Sequence, residues 1–140
     1  MCTVFKEIEV KADVGNLTEV LDFLEENLME AGASMKIITS INVSAEEMFV
    51  NIASYAYDGD EGTAKVALCI EGEPAVAAIT FTDSGKPFDP LSHEDPDAAR
   101  AFDEEAIGGF GILMVKKAMD EVAYEYKDGK NIFTMKKKLV

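Results

Sequence analysis

Glu47 and Asn51 stand four residues apart in a stretch, from about 35 to 57, whose apolar residues recur at helical spacing. On a helix that separation puts both side chains on one face, with Tyr55 one turn further along. A carboxylate beside a neutral amide suits magnesium-nucleotide chemistry. The amide oxygen can ligate a hard cation that keeps most of its waters, and the carboxylate can take a proton from an attacking hydroxyl or water. Glu46 competes for that role but points about 100° away around the helix, so the spacing to Asn51 favours Glu47. Taken alone, the pair also fits an ordinary exposed helix face.

A second cluster is Thr82-Asp83-Ser84-Gly85-Lys86-Pro87-Phe88-Asp89-Pro90. Strand parity puts Asp83 on the side of Ile79 and Phe81, so the carboxylate continues an apolar row. A partly buried acid requires a donor partner. The exocyclic amine of adenine could supply it, and so could the backbone amides of a capped turn. Gly85 allows a ring to approach the backbone closely. The third cluster, Gly108-Gly109-Phe110-Gly111, reads as the opening of a helix. Glycines there expose amides at the positive end of the helix dipole, an anion site, and they equally suit a flexible junction.

These residues need a scaffold to bring them together. Residues 3–11 read as a strand, and 13–32 as a helix with Leu17, Val20, Leu21, Leu24 and Leu28 in one stripe. The helix over about 35–57 follows, then a turn and two strands, 63–71 and 74–83, joined as a hairpin at Glu71-Gly72-Glu73-Pro74. An acidic, proline-rich stretch from about 84 to 107 is long enough to be a lid. A helix over 110–120 precedes strands 122–127 and 131–139, which flank the turn Asp128-Gly129. The order predicts a two-layer α/β sandwich: a mixed sheet of about five strands with three helices on one face. A P-loop is absent, and Gly108–Gly111 does not satisfy the dinucleotide-binding G-x-G-x-x-G.

The 140 residues suit a single domain, 1–140, and 27 acids against 13 bases give a net charge of -14. Such a balance argues against contact with nucleic acid. No apolar run approaches the roughly 18–20 residues that span a bilayer, and no export signal is expected from the first residues. Cys2 and Cys69, the only cysteines, are expected to be reduced thiols of a cytoplasmic protein. His93, the only histidine, reads as a solvated lid residue, and Lys136–Lys138 as an exposed strand end that discourages edge pairing.

Taken in order, E-x-x-x-N on a helix, D-x-G-x-P-F after a strand, a lid, and G-G-x-G into a helix resemble the histidine-kinase-like ATPase superfamily and its ATP-binding Bergerat fold. More closely, SAEEMFVNIASYAY, TFTDSGKPFDP and GGFGILMVKKAMDEVAYEY look like segments of the bacterial anti-sigma factor serine/threonine kinases. The likeness covers essentially the whole chain. It implies that Glu47 is the general base, Asn51 the magnesium ligand and Asp83 the acceptor for the adenine amine. Gly85 would line the base, Gly109 and Gly111 would present amides to the phosphates, and Gly108 would shape the hinge of an ATP lid over about 86–108. Thr134 would make a water-mediated contact to adenine. Lys86 and Arg100 are further candidates for phosphate contact that no motif assigns.

ATP and Mg2+ are the implied cofactors. The implied activity is phosphorylation of a STAS-type anti-anti-sigma protein by a cytoplasmic kinase, a homodimer in the family, that also holds a sigma factor. No direct contact with nucleic acid or membrane is expected. Tyr55 stands where this branch often carries a histidine, and seven acids between Asp89 and Glu105 face a single arginine. The alternatives are therefore a partner-switching module that uses nucleotide as a conformational ligand, and a detached sensor histidine kinase catalytic domain.

Overall fold

Alternation of apolar and polar residues builds a sheet, and a leucine stripe at helical spacing covers it. The computed structural model describes residues 2–91 and 104–140. In chain order the elements are β1 (Val4–Lys11), α1 (Leu17–Glu30), α2 (Met35–Asn51), β2 (Thr63–Glu71), β3 (Val76–Asp83), α3 (Glu104–Ala118), β4 (Glu121–Lys127) and β5 (Lys130–Lys138). The five strands form one sheet in the order β1-β2-β3-β5-β4. Every pairing is antiparallel, so the expected mixed sheet is replaced by a uniform one. Hairpin connections account for this: β2 to β3 and β4 to β5 turn directly back on themselves, and no crossover returns a strand in parallel.

One face of the sheet is the core. Val66, Leu68, Ile70, Ala77, Ile79, Phe81, Phe133 and Met135 are buried at alternate positions, while their neighbours on the other face stay partly exposed. Val20, Leu24 and Leu28 of α1 and Ile38, Ile41, Met48 and Phe49 of α2 complete the same core. Each large side chain fully withdrawn from water there contributes about 1.5–3 kcal/mol. Gly32, at a φ of 87°, ends α1. Its N–H donates to Met29 and that of Ala33 to Leu28, the paired bonds of a Schellman stop. Ser34 then caps α2 by accepting from the Ile37 amide. Asp128 and Gly129, both at positive φ, make the tight turn that the sequence predicts between β4 and β5.

Three expectations are corrected. Helix α3 begins at Glu104, about six residues before the position that periodicity suggests. Lys136–Lys138 belong to an interior strand, where Lys136 pairs with Glu121 and Lys137 donates to the Ala118 carbonyl; they protect no edge. Cys2 and Cys69 form a disulfide with their Cα atoms 5.4 Å apart, where reduced thiols are expected. The register explains the meeting: Phe5 lies opposite Cys69, and Thr3 bonds to Ile70 through both its amide and its hydroxyl. Sixty-seven residues separate the two cysteines, and only strand pairing joins them.

Candidate functional site

Strand β3 delivers Asp83 to the end of the core face, buried to 6% exposure in line with Ile79 and Phe81, as its parity requires. Its partner across the sheet is Asn131 of β5, itself 7% exposed. Asp83 Oδ1 accepts two hydrogen bonds of 2.9 Å, from the Gly85 amide and from Asn131 Nδ2. The same Nδ2 donates to the Lys86 carbonyl at 2.9 Å, and Asn131 Oδ1 accepts from the Phe88 amide at 3.1 Å and from the Tyr124 hydroxyl. Burial, the main cause, raises the Tyr124 phenol above its ordinary value, which keeps that hydroxyl a donor. Met48, Asn51, Ile52, Phe81, Asp83 and Phe133 are among the residues lining a cavity here, with Tyr55, Lys86 and Phe88 at its exposed side. Its enclosed volume is about 40 Å³.

The floor of this cavity is a change of helix type. After Asn51 the chain widens into a π turn, Ile52–Ala56, a distortion common at functional sites. The Ala56 carbonyl accepts from the Lys86 amide at 2.9 Å, so the loop after β3 rests on the end of the helix. Tyr57 fastens the same junction: its hydroxyl donates to the Thr63 carbonyl and accepts from the Ser84 amide.

Glu47 lies one turn before Asn51 and is half-buried. Asn51 Nδ2 donates to Glu47 Oε1 at 3.4 Å, which leaves Asn51 Oδ1 turned away from the carboxylate. Burial raises the Glu47 carboxyl above its ordinary value; the Asn51 bond pulls it down, and the Glu46 charge adds a smaller upward push. Glu47 opens onto a groove of about 600 Å³ between α2 and α3, which Thr39, Ser40, Val43, Ser44 and Met114 also line. Gly111 of α3 lies against the carboxylate, so a Cβ at that position would collide with it.

The residues singled out from sequence are thus only partly assembled. Asn51 and Asp83 share one cavity, and Glu47 and Gly111 meet beside it. Gly85 does not line the cavity. The space where its side chain would be is filled by the Ala56 backbone, so Gly85 serves loop-to-helix packing and donates to Asp83. Gly108, Gly109 and Gly111 lie within α3 and do not open it; amides past a helix's first four are committed to intrahelical bonds. Thr134 is on the opposite face of the sheet, its hydroxyl 3.2 Å from that of Thr80, because the strand alternates and Phe133 takes the cavity side. Lys86 Nζ pairs with Asp58 at 2.7 Å. His93, Arg100 and most of the lid lie outside the described residues. Asn131, Tyr124 and Tyr57 were missed. A polar residue in the buried register of β5, between apolar Phe133 and the turn, was the available signal for Asn131.

No three His, Cys, Asp or Glu side chains converge as a metal site among the described residues. A single amide oxygen, with ligand phosphates and waters completing the shell, is a normal way to hold Mg2+, and Asn51 Oδ1 fits that part. A family model for the histidine kinase-like ATPase domain matches residues 10–137. The chain belongs to that family. Among relatives, it is similar to the serine/threonine-protein kinase BtrW of Bordetella bronchiseptica, 24% identical over 128 residues that cover 91% of this chain and 89% of that one. It is also similar to the serine-protein kinase RsbW of Staphylococcus epidermidis, 28% identical over 110 residues, 76% of this chain and 69% of that one.

Proteins of known structure share the fold. The structure of the RsbU and RsbW domains of Rv1364c from Mycobacterium tuberculosis superposes with a TM-score of 0.69 at 21% identity, over 98% of this chain and 33% of that longer one. The SiaB–SiaC complex from Pseudomonas aeruginosa gives 0.59 at 18% identity, over 97% and 89%. The antiparallel sheet with three helices on one face is therefore that of the family. Among the described residues, no helix is long and apolar enough to cross a membrane.

Proposed function

We propose that this chain is an ATP-dependent serine/threonine kinase of an anti-sigma partner switch, acting on a STAS-type protein. One observation carries the reading: Glu47 and Asn51, joined by a hydrogen bond, open onto two different concavities. Asn51 and Asp83 line the cavity that suits a nucleotide, and Glu47 lines the groove by which a protein hydroxyl can arrive. The relatives named as serine/threonine- and serine-protein kinases support that class of acceptor.

In this reading Asp83 Oδ2, which the Gly85 and Asn131 bonds leave over, accepts from the adenine amine. Glu47, whose proton affinity burial has increased, takes the proton of the acceptor hydroxyl as its oxygen bonds to the γ-phosphorus and the ADP oxygen departs. Asn51 Oδ1 would hold the magnesium ion, which supplies charge neutralisation at the phosphates. A purine would enter from the exposed side of the cavity, where Tyr55, Lys86 and Phe88 stand. We place the kinase in the cytoplasm, as a homodimer that also holds a sigma factor.

The test is transfer of γ-labelled phosphate from ATP to a STAS-type protein, with magnesium and with EDTA. Label on a serine or threonine, dependent on magnesium, supports the kinase. Tight ATP binding without transfer would favour the partner-switching module that uses nucleotide as a conformational ligand. One observation favours that second reading: α3 already takes in Gly108, Gly109 and Gly111, so their amides are not free for phosphates.

A further inference from the structure

Asn131 is buried, polar and unassigned by any motif, and all four of its hydrogen-bonding positions are used. Its orientation is settled by its neighbours. Nδ2 faces two acceptors, the Asp83 carboxylate and the Lys86 carbonyl, while Oδ1 faces the Phe88 amide, which can only donate. Turning the amide over would set oxygen against two acceptors and NH2 against a donor. The side chain thus joins β5 to the last residue of β3 and to two points of the loop after it, and the Tyr124 hydroxyl on edge strand β4 closes the network.

The consequence falls on Asp83. Both of its bonds land on Oδ1, so the carboxylate cannot rotate without breaking two of them. Oδ2 is left as the acceptor at the cavity. Resting on the nucleotide reading above, we propose that Asn131, backed by Tyr124, is a positioning residue for base selection. It holds Asp83 in the one orientation that rewards a purine with an exocyclic amine and penalises one that presents a carbonyl or nothing at that position. A carboxylate free to turn would still be negative, but it could meet other ligands with either oxygen or with water, and the discrimination would weaken.

The experiment measures dissociation constants for ATP, purine riboside 5′-triphosphate, which lacks the amine, and inosine 5′-triphosphate, which carries a carbonyl there. Wild-type protein and the variants Asn131→Leu and Tyr124→Phe are compared with magnesium present. In the wild type, ATP should bind about tenfold or more tighter than either analogue, the size of a hydrogen bond to a charged group. In Asn131→Leu, ATP should weaken by about tenfold while the analogues change by less than about twofold, so that the ratio falls toward one. Tyr124→Phe loses one hydroxyl from an edge strand and should lower the ratio in the same direction, by about two- to threefold. It serves as the measure should Asn131→Leu fail to fold.

A merely structural Asn131 would weaken all three nucleotides alike and leave the ratios at their wild-type values; that result overturns the proposal. Unchanged affinities in both variants overturn it as well. A wild type that binds no ATP, or binds all three equally, overturns the nucleotide reading itself, and this proposal with it.

Discussion

Around Asp83 five hydrogen bonds close on one another. Around Glu47, among the described residues, a single bond of 3.4 Å is made, and one turn away the buried Ser44 hydroxyl has no partner. Asn51, one helical turn from Glu47, lines the same cavity as Asp83, yet one end of the site is finished and the other is waiting. The finished end is anchored in the sheet, whose register places Asp83 and Asn131 directly opposite each other. The unfinished end lies between two helices, where Glu47 is held by packing against Gly111 and carries a raised proton affinity as the cost of burial. A rigid recognition end and an adaptable chemical end suit an enzyme whose second substrate is a protein.

The widest separation between the two ends should come from their acids. Glu47→Gln is expected to lower phosphoryl transfer by about 10²–10⁴-fold, the range for loss of a general base, with the ATP dissociation constant within about twofold of wild type. Asp83→Ala should do the reverse, weakening ATP by about 10–100-fold and sparing the rate at saturation. Single-turnover kinetics beside calorimetric binding would read both. Turnover unchanged in Glu47→Gln, or affinity unchanged in Asp83→Ala, would erase the division of labour.

Much of this was legible in the chain. Period-2 alternation gave β2 its ends, and Asp83 followed as the polar residue in an apolar row. Glu47 and Asn51 needed only helix geometry. What escaped depended on pairing across the sheet. Nothing local tells Asn131 that Asp83 lies opposite, or Cys2 that Cys69 does. Thr134 was misplaced by one residue, and in a strand one residue is the difference between the two faces. The start of α3 escaped for another reason: Glu104–Gly109 is acidic and glycine-rich and carries little apolar periodicity.

Two glycines probe the contrast at a smaller scale. At Gly85 an added methyl would meet the Ala56 backbone, which cannot step aside, so Gly85→Ala should cost about 1–3 kcal/mol of stability and weaken ATP binding with it. At Gly111 the atoms nearest the methyl would be the carboxylate end of the flexible Glu47 side chain. Alanine favours a helix interior over glycine by about 1 kcal/mol, so Gly111→Ala should keep or raise the melting temperature while turnover falls. Equal loss of stability at both positions would show that the chemical end is as rigid as the base end.

A subtler difference is readable in pH. The Glu47 carboxyl is raised on folding, so the folded state holds that proton more tightly than the unfolded chain does. Stability from this group therefore falls as pH climbs from its ordinary value of 4.5 to the higher folded value, and above that the cost is fully present. Glu47→Gln removes it. The variant should melt higher than wild type at pH 7, and the gap should close as pH drops below about 4.5. A gap that persists in acid would point to packing and not to charge.

The smallest effect is expected at Thr134, and it tests whether the sheet insulates its two faces. The Thr134 hydroxyl reaches Thr80 on the side away from the cavity, while Phe133 and Asn131 present themselves to the cavity from the same strand. Thr134→Val keeps the branched shape and removes a partly exposed hydrogen bond, worth about 1 kcal/mol at most. ATP affinity should stay within about twofold, since no atom near Asp83 changes partner. A larger loss would mean that strain on the outer face reaches Asn131 three residues away, and that the network around Asp83 is held by the sheet as a whole and not by its own five bonds.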